Sequence, residues 1–191
     1  MENVSKESFP PRQITADFYR RLVQMALQIF DERDVARLCD LILEEAQAIT
    51  NADGGSIYLL THGETRQDQK LEFTIFRNKS LNLHFGGSSG EQVSFDPLPL
   101  YEPSTGEPNH RHIAVQTALT GMLINIDDAY QASAFDFSGT RAFDRETGYR
   151  SRSVLAVPLK NNENQIIGVL ELLNAADPDT GAQVPFARTF E

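Results

Sequence analysis

Four arginines, Arg141, Arg145, Arg150 and Arg152, crowd into one short stretch of a chain whose formal charge is −10. Phe135, Phe137, Phe143, Tyr149 and several hydroxyls are interleaved with them. Guanidinium forks recognise phosphate or carboxylate and aromatic faces stack on planar rings, so residues 135–153 suit a planar anionic ligand such as a nucleotide. They equally suit a surface loop whose arginines pair with Asp136, Asp144 and Glu146 and whose rings anchor it to the core. Glu171 is the second candidate. It interrupts the apolar run Val169-Leu170-Glu171-Leu172-Leu173, where a carboxylate is expensive unless it faces a polar cavity or pairs with an arginine. At the floor of a pocket it would accept a hydrogen bond from a ligand ring.

Other constellations carry less chemistry. Gly86-Gly87-Ser88-Ser89-Gly90 matches the G-x-S-x-G nucleophile elbow in letters, but Glu91 to Pro97 has no helical pattern behind it, so a plain glycine loop is expected. His110-Arg111-His112 lacks an acidic or thiol partner at metal-ligand spacing, and no metal or cofactor is expected. Asp127-Asp128 fits helix capping better than paired catalytic carboxylates. Cys39, alone in the chain, can supply neither a disulfide nor a redox pair. The dinucleotide fingerprint, the phosphate loop and H-E-x-x-H are all absent, so no catalytic residue is nominated.

The elements that must position these residues are legible from periodicity. The chain of 191 residues suits one domain, and its acidic balance argues against a nucleic-acid surface. With no long apolar run and no basic, apolar N-terminus, it is expected to be cytoplasmic and not to engage a membrane. Residues 1–13, with Pro10-Pro11, read as a flexible lead-in. Phe18, Leu22, Met25 and Ile29, then Val35, Leu38, Ile42 and Ile49, recur at helical spacing and predict two helices joined near 31–34. Strands are expected over 56–60, 71–76 and 81–85, then a long loop over 86–110 holding four Gly and four Pro. A helix over 112–120 ending at Gly121, a short strand at 123–126 and two central strands over 153–159 and 165–173, joined by a tight hairpin at 161–164, complete the order. This is α+β with an antiparallel sheet and helices packed on it.

The runs Ile113 to Tyr130, Thr147-Gly-Tyr-Arg-Ser-Arg-Ser-Val-Leu-Ala-Val-Pro-Leu159 and Ile167-Gly-Val-Leu-Glu-Leu-Leu-Asn174 resemble the GAF family, most closely the GAF domains of cyclic-nucleotide phosphodiesterases, cyanobacterial adenylyl cyclases and bacterial HD-GYP proteins. Asn82-Leu-His, Gly86-Gly, Glu107-Pro-Asn-His110 and Phe135-Asp-Phe-Ser-Gly-Thr-Arg-Ala-Phe143 look most like the HD-GYP group. The resemblance implies a GAF-like fold: a central antiparallel sheet of about six strands, N- and C-terminal helices on one face, and short helices and loops over the other. It implies a linker or dimerisation helix over 14–32 and a GAF domain over 33–191 that stops within its C-terminal helix. It further implies a regulatory sensor, non-catalytic in itself, that binds a small ligand, a cyclic nucleotide or similar, and forms a homodimer through terminal helices. The controlled output would be HD-GYP-like phosphodiesterase activity, and the alternative is a ligand-free dimerisation module that spaces output domains. By matching positions the resemblance implicates Ile113, Ala114, Asp144, Thr147, Ser151 and Glu171 in ligand binding, and more loosely Phe95, Asp96 and Phe137. Of the family's N-K-F-D-E signature, Asn174 is followed by Ala175 in place of lysine, and Phe186 leads to Phe190-Glu191.

Overall fold

A computed structural model describes residues 32–186 throughout, and residues 20, 23, 24 and 26–29 before them. Those earlier residues are helical, within the first predicted helix. The lead-in over 1–13 and the C-terminal helix expected past 186 lie outside the described residues.

Helix α1, Val35–Thr50, starts where the Asp34 side chain accepts hydrogen bonds from the backbone N–H of Ala36 and Arg37 at 2.8 and 3.3 Å. That carboxylate satisfies two of the donors a helix start leaves unpaired. It ends at Asn51, in the left-handed region at φ 54°, one of the few conformations asparagine tolerates better than most side chains. Cys39, Leu43 and Gln47, four apart, form its buried stripe. Leu43 seats in a notch at Gly55, where any Cβ would come within 2.8 Å of the leucine side chain and of the Glu171 carbonyl. Only glycine lets the helix approach this closely.

The sheet follows at once. Strands β1 (Ala52–Thr61), β2 (Lys70–Asn78), β3 (Leu83–Gly86), β4 (Leu98–Pro99), β5 (Ile124–Ile126), β6 (Val154–Lys160), β7 (Ile166–Ala176) and β8 (Gln183–Val184) are all antiparallel to their partners. The main path runs β3-β2-β1-β7-β6-β5, with β4 added to β2 and β8 to β7. The six predicted strands are therefore joined by two short ones, each of two residues. The two central strands are longer than periodicity suggested: β1 begins at Ala52, and β7 continues to Ala176.

Each face of the sheet carries its own core. On one, α1 covers Ile57, Ile75, Leu170 and Leu172, joined by Phe186. On the other, α2 (Ile113–Thr120) brings Ile113, Ala114, Val115 and Ala118 onto Tyr58, Leu71, Val154, Ala156, Val169 and Leu173. Burial from both sides explains why β6 and β7 read as nearly continuous apolar runs. Helix α2 stops at Gly121 (φ 66°), as its sequence predicts.

Two expectations are corrected here. The sequence of 135–153 suggests a loop, but Ser138–Thr147 forms a third helix, α3, closed by Gly148 at φ 72°. Its polar composition hid it: Asp144 is its buried residue, so the helix packs through a carboxylate and a few rings rather than an apolar stripe. Asp128 caps no helix. Its carboxylate accepts from Tyr130 N–H and its carbonyl from Gln131 and Ala132, which makes a local turn instead.

Candidate ligand site

One row of residues crosses the sheet on the face opposite α1. Phe85, Phe76, Ser56, Glu171, Ala156 and Ile124 are successive register partners from β3 to β5. Directly opposed residues on adjacent strands point to the same face, so these side chains stand in line. Glu171 occupies the middle. Its neighbours along and across the sheet, Ser56, Ala156, Val169 and Leu173, are buried, yet Glu171 is only half-buried. Partial exposure of this one residue amid covered neighbours means that the layer above does not close fully over it.

The chemistry of that position follows from its surroundings. Desolvation by burial pushes the Glu171 carboxyl up to about 7, because a low-dielectric setting penalises the charged form. Tyr58 lies beside it, and burial, followed by the Glu171 charge, holds its phenol well above the ordinary value while Ser56 hydrogen-bonds to it. Near neutral pH the Glu171 carboxyl therefore exists in both protonation states, able to accept from a ring N–H or to donate to a ring acceptor.

Aromatic rings wall one side. The Tyr58 ring centroid is 4.3 Å from that of Phe73, Phe73 is 4.9 Å from Phe95, and Phe76 meets Phe95 at 5.7 Å and Phe143 of α3 at 5.5 Å. Phe73 and Phe76 are three apart, which in a regular strand places them on opposite faces. A bulge resolves this: Tyr58 pairs with Phe73 but Ile57 pairs with Ile75, so Thr74 is the extra residue and both rings reach the Glu171 face. The Thr74 carbonyl accepts the Gly87 N–H at 3.0 Å, outside the ladder. Simple alternation over 71–76 is thereby corrected, since Ile75 packs under α1 while Phe76 joins the other side.

A family model for the GAF domain matches residues 34–190. The chain belongs to the GAF domain family. The dual 3′,5′-cyclic-AMP and -GMP phosphodiesterase 11A of Takifugu rubripes is 31% identical over 163 residues, 84% of this chain and 17% of that protein. The cGMP-specific 3′,5′-cyclic phosphodiesterase of Drosophila sechellia is 27% identical over 153 residues, 80% of this chain and 11% of that protein. The chain thus spans less than a fifth of the length of these relatives. Among solved structures, the GAF domain from a phosphoenolpyruvate-protein phosphotransferase of Coxiella burnetii superposes with a TM-score of 0.58 at 13% identity, covering 89% of this chain and 81% of that one. It shares the fold.

In this GAF domain the residues singled out from sequence fall into three groups. Glu171 and Phe95 border the gap: Phe95 is 37% exposed, with its ring against Phe73 and Phe76, and Asp96 is exposed beside it. Ile113 and Ala114 begin α2 on the same face, and Phe137 is buried in the core there. The third group holds the loops together. Asp144 accepts from the Tyr130 hydroxyl and the Ser151 N–H, both at 2.8 Å, and from the Ser151 hydroxyl at 2.9 Å, so Asp144 and Ser151 fasten α3 to the segment after it. The Thr147 hydroxyl donates to the Phe143 carbonyl at 2.8 Å and accepts from the Tyr149 N–H.

The arginines follow neither simple pattern. Arg150 stacks its guanidinium 3.8 Å over the Tyr130 ring, and Arg152 reaches the Gln183 carbonyl at 3.4 Å. Arg141 is half-buried and Arg145 exposed on α3. Asp136, proposed as an arginine partner within the run, instead pairs with Arg111 at 3.3 Å.

Some functional geometry was missed from sequence. Ser56, Tyr58, Phe73 and Phe76 belong to ordinary strand patterns, and only the register and the bulge bring them around Glu171. Asn174, buried at the end of the same strand, donates through its side-chain amide to the Arg150 carbonyl at 2.7 Å and accepts from the Arg152 N–H at 2.6 Å. The elbow-like serine also has a defined place. Ser88 donates from its backbone N–H and its hydroxyl to Asp40 of α1, and His84 Nε2 meets the other Asp40 oxygen at 2.7 Å. A hydrolytic relay runs from serine to histidine to carboxylate, whereas here serine and histidine both end on the carboxylate. Burial works against that charge, but the Ser88 bonds and His84 hold the Asp40 carboxyl below its ordinary range. Among the described residues no group of three or more His, Cys, Asp or Glu could hold a metal ion, and no helix is long and apolar enough to cross a membrane.

Proposed function

We propose that this GAF domain is a regulatory sensor that takes a small planar ligand of the cyclic-nucleotide type, its ring edge on Glu171 and its face against the rings of Phe73, Phe76 and Phe95. Glu171 carries this reading: a partly exposed residue with a desolvated carboxyl stands beside a wall of rings, and apolar, aromatic lining with a few directed polar groups is the usual makeup of a small-molecule site. The segments 86–110 and 131–152 roof the ligand, with Ile113, Ala114, Phe137 and Thr147 around it and Asp144 and Ser151 fixing the roof. Arg141 and Arg145 are the cations left to meet an anionic group, since Arg150 and Arg152 have partners of their own. The controlled partner is an output domain of phosphodiesterase type, HD-GYP-like, in a cytoplasmic signalling protein.

Calorimetric titration with cyclic AMP, cyclic GMP and cyclic di-GMP tests the reading. One of the three is expected to give saturable heat that Glu171→Ala weakens at least tenfold, the loss of about one charge-assisted or well-directed hydrogen bond. Silence from all three, or undiminished binding by Glu171→Ala, would sink it.

A second reading has its own observation. Val23 and Leu27, four apart on the helical segment before α1, are about 60% exposed, and an i, i+4 apolar pair facing solvent suits a partner helix. Homodimer formation through that segment is compatible with sensing or with ligand-free spacing. Sedimentation of Val23→Glu/Leu27→Glu against wild type separates them from a monomer: a dimer lost in the variant supports the contact, and a wild-type monomer removes it.

A further inference from the structure

The loop after β3 is attached to both faces of the sheet. At its start, on the α1 face, Gly86 closes a tight turn by donating to the Glu91 carbonyl at 2.7 Å, and Ser88 at the turn's tip is bound through its backbone N–H to Asp40 at 2.6 Å and through its hydroxyl to the same oxygen. Gly87 sits at φ 55° with the Asp40 carboxylate so near that a Cβ would come within 2.8 Å of both oxygens. His84, on β3 itself, takes the remaining oxygen. Seven residues past Ser88, Phe95 lies on the opposite face with its ring on Phe73 and Phe76. The loop therefore wraps around the β3 edge, tied behind to a buried helical carboxylate and in front to the aromatic wall. Asp40 is buried, and its two oxygens are held by Ser88 of the loop and His84 of β3, so its orientation is tied to both.

We propose that Asp40 is a positioning residue for the ligand site: it anchors the loop that carries Phe95 and makes α1 respond to whether that ring is seated. This rests on reading the Glu171 face as the ligand site. A ligand that presses on or displaces Phe95 pulls on the 86–91 turn, and the turn is attached to α1 through Asp40, on the same buried face as Leu43, which is seated in the Gly55 notch. Strain that would dissipate in a free loop is delivered to one carboxylate. Differential stability of α1 with Phe95 seated or released is what such coupling requires.

The test needs no ligand. Hydrogen exchange of the full chain is followed by mass spectrometry over 35–50 and 83–97 in wild type, Phe95→Ala, Ser88→Ala, Asp40→Asn and the two double variants with Phe95→Ala. Phe95→Ala is expected to speed exchange over 35–50 by about fivefold, an effect of one hydrogen bond's order. In the Asp40→Asn background the same ring removal is expected to change it less than about twofold, and in the Ser88→Ala background, which keeps the backbone N–H bond to Asp40, by an amount between the two. Ser88→Ala removes one hydroxyl and leaves α1 intact, so the cycle closes even if Asp40→Asn is too damaging. An equal response to ring removal in every background, or none in wild type, overturns the proposal. Because no nucleotide enters the assay, failure of the ligand reading appears only in the calorimetry, and failure of the coupling only here.

Discussion

Asn174→Ala is expected to destabilise the domain by about 3 kcal/mol, lowering the melting temperature by roughly 6–12 °C at 2–4 °C per kcal/mol for a chain of this size. The side chain is fully buried and clamps both the Arg150 carbonyl and the Arg152 N–H. Alanine leaves both without a partner, at about 1 kcal/mol each. It must also adopt φ 54°, where asparagine is at ease and alanine costs about 1 kcal/mol. Asn174→Gly separates the contributions, since glycine removes the clamp while relieving the backbone, and a loss near 2 kcal/mol is expected. Calorimetric unfolding of the three proteins decides this. A change below 1 kcal/mol for alanine would mean that the 150–152 segment is held by its other contacts, among them Ser151 on Asp144 and the Arg152 carbonyl on the Ala129 N–H.

The second large effect is a pH dependence with an unusual sign. The ordinary Glu value is 4.5, and desolvation raises Glu171 to about 7 in the folded chain. Between those values the folded protein keeps a proton that the unfolded chain has released, so stability falls as pH rises through the window. A separation of this size corresponds to about 3 kcal/mol lost once ionisation is complete, at 1.36 kcal/mol per unit. Glu171→Gln, which cannot ionise, is expected to remove that slope and to be more stable than wild type at pH 8 by about 2–3 kcal/mol. Denaturant unfolding of both proteins at pH 5, 6, 7 and 8 is the measurement. Parallel profiles would mean that Glu171 is solvated and that the gap above it is open to bulk water. Asp40 acts in the opposite sense at lower pH, because a depressed carboxyl contributes stability that disappears only as pH falls through its folded value.

Much of the architecture was legible because long apolar runs and turn residues constrain it. β6 and β7 announced themselves by continuous apolar runs, α2 by its glycine stop, and α1 by the helical spacing of Val35, Leu38, Ile42 and Ile49, although the face it buries is that of Cys39, Leu43 and Gln47 and Val35 is exposed. Glu171 stood out for the same reason, as a polar letter in an apolar word. What escaped shares one physical cause: it depends on register rather than period. Thr74 reads as one more alternating position, yet as a bulge it turns Phe76 to the other face and assembles the aromatic wall. α3 is a helix that buries Asp144, so its pattern carried no stripe and its arginines drew attention away from it. Asp40 is more than forty positions from His84 and Ser88, and nothing local says that its carboxylate will gather the two. Asn174 was visible as part of a family signature, but its task, pinning the segment after α3, needed the coordinates.

Phe186 shares a cluster with Cys39 and Leu43 of α1, and the Asn125 side chain holds its carbonyl at 3.2 Å. α1 and the segment ending at Phe186 therefore share one core on one face of the sheet. A tilt of α1 about the Gly55 notch would disturb that shared core before it disturbed any strand, so the two segments are coupled like adjoining stones set in one mortar.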